Sequence, residues 1–184
     1  MMSVGTENEG RLSVKKIIFY AVGVFLLSAF QASVGSRTGL FAATPSFTLA
    51  FTALASLFEG KRTGAVTGLA GGFLTDALGG SGFSLLPLFY TLTGWFLGEI
   101  CERLGHPGRR APEIFLRSLM WLAAASGTGA VFTAVLIVLS AGRMNFFSSI
   151  PHILLPEAAS TFLWSLPMLG IFMLTYRKKF SEGQ

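Results

Sequence analysis

At 184 residues, 52% of them hydrophobic and only 12% charged, the chain is far more apolar than a soluble domain, where about 25% of residues carry charge. Its mean hydropathy of +0.62 and 18 phenylalanines assign it to a bilayer, as one domain with no room for a folded extramembrane module. The net charge of +5 is scattered between apolar runs, which excludes a nucleic-acid face, and the single cysteine, Cys101, excludes a disulfide framework or thiolate metal site.

A membrane-crossing helix needs about 20 mostly apolar residues. Residues 1–13 are polar and read as a disordered cytoplasmic tail. Lys15 and Lys16 before an apolar run resemble the start of a signal peptide. No small-x-small cleavage site follows, so 17–35 reads as an uncleaved first helix. The second runs over 40–58 with Pro45 near its start, where a missing N–H costs least. Residues 59–62 form a tight polar turn before a third helix at 63–78, which the glycines of 79–82 break. The fourth, 83–100, leads into the most polar interior segment, CERLGHPGRRAPE. A fifth helix spans 114–139 and a sixth 157–176, the latter kinked at Pro167. The expected fold is an all-α polytopic membrane protein of six transmembrane helices, a compact bundle resembling the S-component type.

The charges set its orientation. With the N-terminus in the cytoplasm, Arg11, Lys15, Lys16, Lys61, Arg62, Arg103, Arg109, Arg110, Arg117, Arg177, Lys178 and Lys179 fall inside, and only Arg37 and Arg143 outside. Twelve against two is the asymmetry that the positive-inside rule requires, with both termini cytoplasmic in a bacterial inner membrane.

The stretch 63–98 is read as the centre of the packing. Gly64, Gly68, Gly72, Asp76 and Gly80 recur every four residues and form one slowly winding row on a helix. Small residues at that interval let helix backbones approach closely in lipid. The same row carries Asp76, a costly carboxylate at membrane depth, which must point inward. It reads either as a titrating or substrate-binding group, or as a cap that fixes packing at the Gly79–Gly82 break. No second buried ionisable residue is evident nearby, so the packing role is favoured. Glu157, opening the sixth helix, is explained by the positive end of its dipole, and Glu99 and Glu102 read as interfacial ion pairs. Between helices five and six, Phe146 and Phe147 suit either interfacial anchoring or contact with a partner.

Nothing in the sequence supplies a catalytic constellation. His106 and His152 fall on opposite membrane faces, and GLAGGF lacks the Lys-Ser/Thr of a phosphate loop. No enzyme activity, cofactor or metal is expected.

The Gly64-x3-Gly68 row, Phe73-Leu74-x-Asp76 and Gly79-Gly80-Ser81 before an apolar helix resemble the core of MreD, the bacterial rod shape-determining membrane protein family. The Pro45 opening and the ending Leu163-Trp164…Tyr176-Arg177-Lys178-Lys179-Phe180 are also similar, and the resemblance covers about 45–104. Ser46 stands where family members often carry an acidic residue. The resemblance implies a non-enzymatic subunit of the cell-elongation and peptidoglycan-synthesis machinery. It implies binding to a bitopic MreC-like partner and, through it, to cytoskeletal and wall-synthesis proteins. The alternative is the substrate-capturing S component of an energy-coupling-factor vitamin transporter. Such components commonly dock through Ala-x3-Ala on the first helix, a spacing that Ala21, Ala29 and Ala32 do not form.

Overall fold

A computed structural model describes residues 14–34, 45–79, 85–104, 111–141 and 154–181. These residues form six helices: α1 (Val14–Val34), α2 (Phe47–Glu59), α3 (Lys61–Gly79), α4 (Leu86–Arg103), α5 (Ala111–Ala141) and α6 (Leu155–Ser181). Three contain stretches long and apolar enough to cross a membrane, Lys16–Ser33, Phe115–Leu136 and Leu155–Leu174. α2 is a shorter apolar helix.

Helix α2 is the hub. It touches each of the other five, which succeed one another around it in the order α1, α3, α4, α5, α6. Side chains close the ring, because Phe172 of α6 meets Phe19 and Tyr20 of α1 at ring separations of 6.1 and 6.5 Å. Phe51 and Phe58 of α2 pack on the same Phe172 at 5.3 and 5.6 Å. Eleven consecutive residues of α2, Phe47 to Leu57, are therefore buried, polar ones included. Sequence reading centred the packing on 63–98 and left α2 as an ordinary second span. The structure moves the centre to α2, while α3 with α4 remains the most extensive helix pair.

The outer surface is apolar. Leu26 is 60% exposed, Val66 67% and Phe73 66%, as expected where the solvent is lipid. Burial follows side-chain size instead: α3 buries Gly64, Thr67, Gly68, Gly71 and Gly72 and turns its large residues outward.

The α2–α3 connection is tighter than the expected four-residue turn. Gly60 alone reverses the chain at φ +89°, a left-handed conformation that glycine adopts without penalty. Lys61 and Arg62 then belong to α3. The Glu102 carboxylate accepts the Lys61 backbone N–H at 3.2 Å, satisfying one donor of the new helix start. Pro45 and Ser46 precede α2, whose helix starts at Phe47.

Candidate functional site

Two features occupy the interior: a glycine seam and a buried polar cluster. The seam lies between α3 and α4. A Cβ added at Gly64 would sit 2.7 Å from the Gly94 carbonyl oxygen, and one at Gly72 would sit 2.7 Å from that of Leu86. One at Gly68 would fall on the Tyr90 carbonyl group and within 3.0 Å of the Thr91 nitrogen. Each step of four up α3 is matched by a step of four down α4, so two antiparallel backbones run in contact. α4 answers with glycines of its own: Gly94 faces Gly64, and Gly98 lies against the Lys61 backbone. The Ser56 hydroxyl of α2 donates to the Gly94 carbonyl at 2.9 Å, fastening three helices where Gly64 meets Gly94.

Gly71 serves a second face. A side chain there would strike Thr48 of α2, so α3 presents glycine to both α2 and α4. Asp76 lies one turn beyond Gly72, half-buried and engaged in a polar or electrostatic contact. A Cβ at Gly79 would meet nothing within 4 Å. Gly80, Phe146, Phe147 and both histidines lie outside the described residues.

The polar cluster gathers around the start of α2 and draws on all six helices. Gln31 of α1 accepts from the Thr48 backbone N–H at 3.2 Å and from the Thr48 hydroxyl at 3.1 Å. Ser28 of α1 and Thr75 of α3 each reach the Thr48 hydroxyl at 3.4 Å. From α6, the Thr161 hydroxyl accepts the Ser46 backbone N–H at 3.0 Å. Tyr90 of α4 lies within hydrogen-bonding reach of Gln31 and Ser46. Beside them Thr133 of α5 donates to the Glu157 carboxylate of α6 at 2.8 Å. Among the described residues, no buried side-chain nitrogen or oxygen lacks a hydrogen-bond partner.

Glu157 is only 4% exposed. Sequence reasoning took it as a helix-opening charge and missed that α5 covers it. It also missed Gln31 and Thr48, and Gly94 and Gly98 as the answering half of the seam. The Gly94-x3-Gly98 spacing was the legible signal for that half. The cluster caps α2 and fixes helix register through bonds between helices. No three His, Cys, Asp or Glu side chains converge as a metal site among the described residues.

The opposite end of the bundle is ionic. Lys16 pairs with Glu59 at 2.7 Å, tying the start of α1 to the end of α2. Lys61 pairs with Glu99 at 2.6 Å and Glu102 at 3.0 Å, tying the start of α3 to the end of α4, and Arg103 joins Glu99 at 3.0 Å. Those bonds raise the Lys61 pKa, Glu99 contributing most, and the Lys61 ammonium lowers that of Glu102.

Compared with known proteins, residues 14–178 match a family model described as rod shape-determining protein MreD. No curated protein and no solved structure matches the chain. The match lends no support to a transporter module.

Proposed function

This chain belongs to the MreD family and so has a role in rod-shape determination, and we propose that it acts there without chemistry of its own, as a membrane scaffold that binds an MreC-like bitopic partner. The partner couples it in turn to cytoskeletal and peptidoglycan-synthesis proteins. The observation that carries this reading is the α3–α4 seam, in which two backbones are locked together and pinned to the central α2. Such a core holds an outer surface in one shape, which is what a partner helix needs to recognise. Gly64, Gly68, Gly72 and Asp76 serve that packing, with Gly79 and Gly80 at the break that follows, and Phe146 and Phe147 are the candidate partner contacts.

The residues 1–184 form a single inner-membrane domain of six spans with both termini cytoplasmic. The ends of the helices support this. The end of α1, start of α2, end of α3, start of α4, end of α5 and start of α6 meet in one polar cluster, so direction alternates along the chain. Three of these helices are long and apolar enough to span, and α3 and α4, at 19 and 18 residues, also approach spanning length. The twelve-to-two charge division then puts the Lys61 end inside.

Affinity purification of the tagged chain from a rod-shaped bacterium tests the reading. An MreC-like protein should copurify, and the chain should restore rods in a deletion strain. Recovery of an ATPase cassette in place of that protein would refute the scaffold role.

A further inference from the structure

Neither the seam nor the polar cluster uses the groove between α1 and α3. On α1, Ile17, Tyr20, Ala21 and Val24 recur as i, i+3, i+4 and i+7, and on α3 so do Thr63, Val66, Thr67 and Ala70. Each helix thus turns one face to the other, yet the faces do not close. Ile17 and Val66 stand as exposed walls, Tyr20, Val24 and Thr67 form a buried floor, and the small Ala21 and Ala70 leave the space between. The result is a cavity of about 220 Å³ with an almost wholly apolar lining. Arg62 stands at its mouth, exposed. The ion pairs among the described residues engage Lys16, Lys61 and Arg103, and not Arg62.

We propose that this groove binds an anionic phospholipid, one acyl chain lying between α1 and α3 and the headgroup phosphate held by Arg62. Charge and depth together select that occupant. A guanidinium presents a planar fork of donors that matches phosphate oxygens, and basic pockets between helices on the cytoplasmic side are suited to anionic headgroups. Each stripe covers eight residues, about 10 Å along its helix. That fits within one leaflet, about half of the roughly 30 Å hydrocarbon thickness. A crossing partner helix would need the groove to continue, whereas one turn further on Leu27 and Leu74, bulkier than Ala21 and Ala70, pack partly buried against the core, and Phe73 stands exposed beside Leu74. The choice of leaflet rests on the orientation proposed above; the binding itself does not.

The test is thermal unfolding of the purified full-length protein in neutral detergent micelles, titrated with phosphatidylglycerol. Melting temperature should rise with phosphatidylglycerol, and should not respond to phosphatidylcholine of the same chains or to glycerol phosphate alone. Arg62→Gln should weaken the midpoint about fivefold, and Ala70→Trp should abolish the shift by filling the groove. Arg117→Gln, a cation on α5, should leave it unchanged. Each variant is referred to its own melting temperature without lipid. Arg62 lies outside the core, so its variant remains decisive if Ala70→Trp does not fold. Equal shifts with phosphatidylcholine, a response to glycerol phosphate alone, or an Arg62→Gln midpoint equal to wild type would each overturn the proposal. So would Ala70→Trp losing the copurified partner while keeping the lipid shift. Because micelles have no sidedness and contain no partner, failure here leaves the scaffold reading intact, and failed copurification leaves the lipid result intact.

Discussion

Substitution of Gly68 by alanine isolates the close approach on which the seam depends. The added methyl would lie 2.6 Å from the Tyr90 carbonyl carbon and 3.0 Å from the Thr91 nitrogen, where ordinary contact needs 3.4 Å or more. The obstacle is backbone, which no rotamer change can move aside. α3 and α4 must separate, and the Gly64–Gly94 and Gly72–Leu86 contacts loosen with them. Overpacking of this kind costs about 1–3 kcal/mol. Alanine recovers up to about 1 kcal/mol of helix propensity over glycine, so the net loss should be up to about 2 kcal/mol, and the gap to an unobstructed glycine, which shares that gain, about 1–3 kcal/mol. The same change at Gly127 or Gly170, where a Cβ meets nothing within 4 Å, keeps only the propensity gain. Unfolding titrations in mixed micelles should therefore rank Gly127→Ala and Gly170→Ala at or above wild type and Gly68→Ala clearly below. Val66→Leu, on the exposed face, should be near neutral. Gly64→Ala with Gly94→Ala should be less destabilising together than the sum of the two, because one separation of the helices relieves both clashes. If Gly68→Ala matched Gly127→Ala, the backbone contact would not exist and the scaffold reading would lose its main support.

Glu157→Leu removes the acceptor of the Thr133 hydroxyl inside the bundle and should cost about 1–3 kcal/mol, whereas Glu157→Gln keeps an acceptor and should cost less; equal losses in the same titration would count against the hydrogen bond. Asp76→Asn should still accumulate in the membrane and restore rods, while Asp76→Leu should fail at the level of accumulation. A stable Asn variant unable to restore rods would show that the charge itself is needed. The third concerns pH. Lys61 and Glu102 lie beyond the proposed spans, and the lowered pKa of Glu102 makes its contribution complete above the usual carboxylate value near 4.3 and lost as pH falls through the folded value. The raised pKa of Lys61 makes its contribution complete below about 10.4 and lost as pH rises through the folded value. The melting-temperature advantage of wild type over Glu102→Gln should thus be flat from about pH 5 to 10 and shrink below about pH 4. An advantage unchanged at low pH would remove Glu102 from the ion-pair network.

What the sequence could and could not convey follows from periodicity. Gly64, Gly68 and Gly72 recur every four residues, so they declare a face, but a face does not name its neighbour. The neighbour is the run Leu86, Tyr90, Gly94, Gly98, at the same interval on the next helix, and two of its members are not glycine. There the backbone carbonyl makes the contact and the side chain turns elsewhere. Glu157 was read only in part, for a related reason: it does stand in the first turn of α6. Its place at a helix start explains a carboxylate without further help, and only the packing of α5 shows that Thr133 shares it. Lys61 and Arg62 looked like turn residues because they are charged, yet one glycine completes the turn and Glu99 and Glu102 meet the Lys61 charge.

The central position of α2 was illegible because its hydrophobicity resembles that of a lipid-facing helix. Its length is the clue. Thirteen residues rise about 20 Å, some 10 Å less than the hydrocarbon thickness. A helix that short cannot stand alone in lipid, because its end N–H groups would have no partner. Here Gln31 accepts the Thr48 N–H and Thr161 the Ser46 N–H, so the missing turn is replaced by side chains from α1 and α6. Along the rest of α2, Thr52 donates to the Thr48 carbonyl and Ser56 shares its one proton between those of Thr52 and Gly94, so hydroxyls at an interval of four are satisfied without water. The polar cluster is thus the end of a short buried helix, and its groups are occupied with one another. The partner proposed above would therefore read the outside of the ring. Its geometry is set from within by α2, and a change at Gln31 or Thr161 should disturb partner binding without touching the partner.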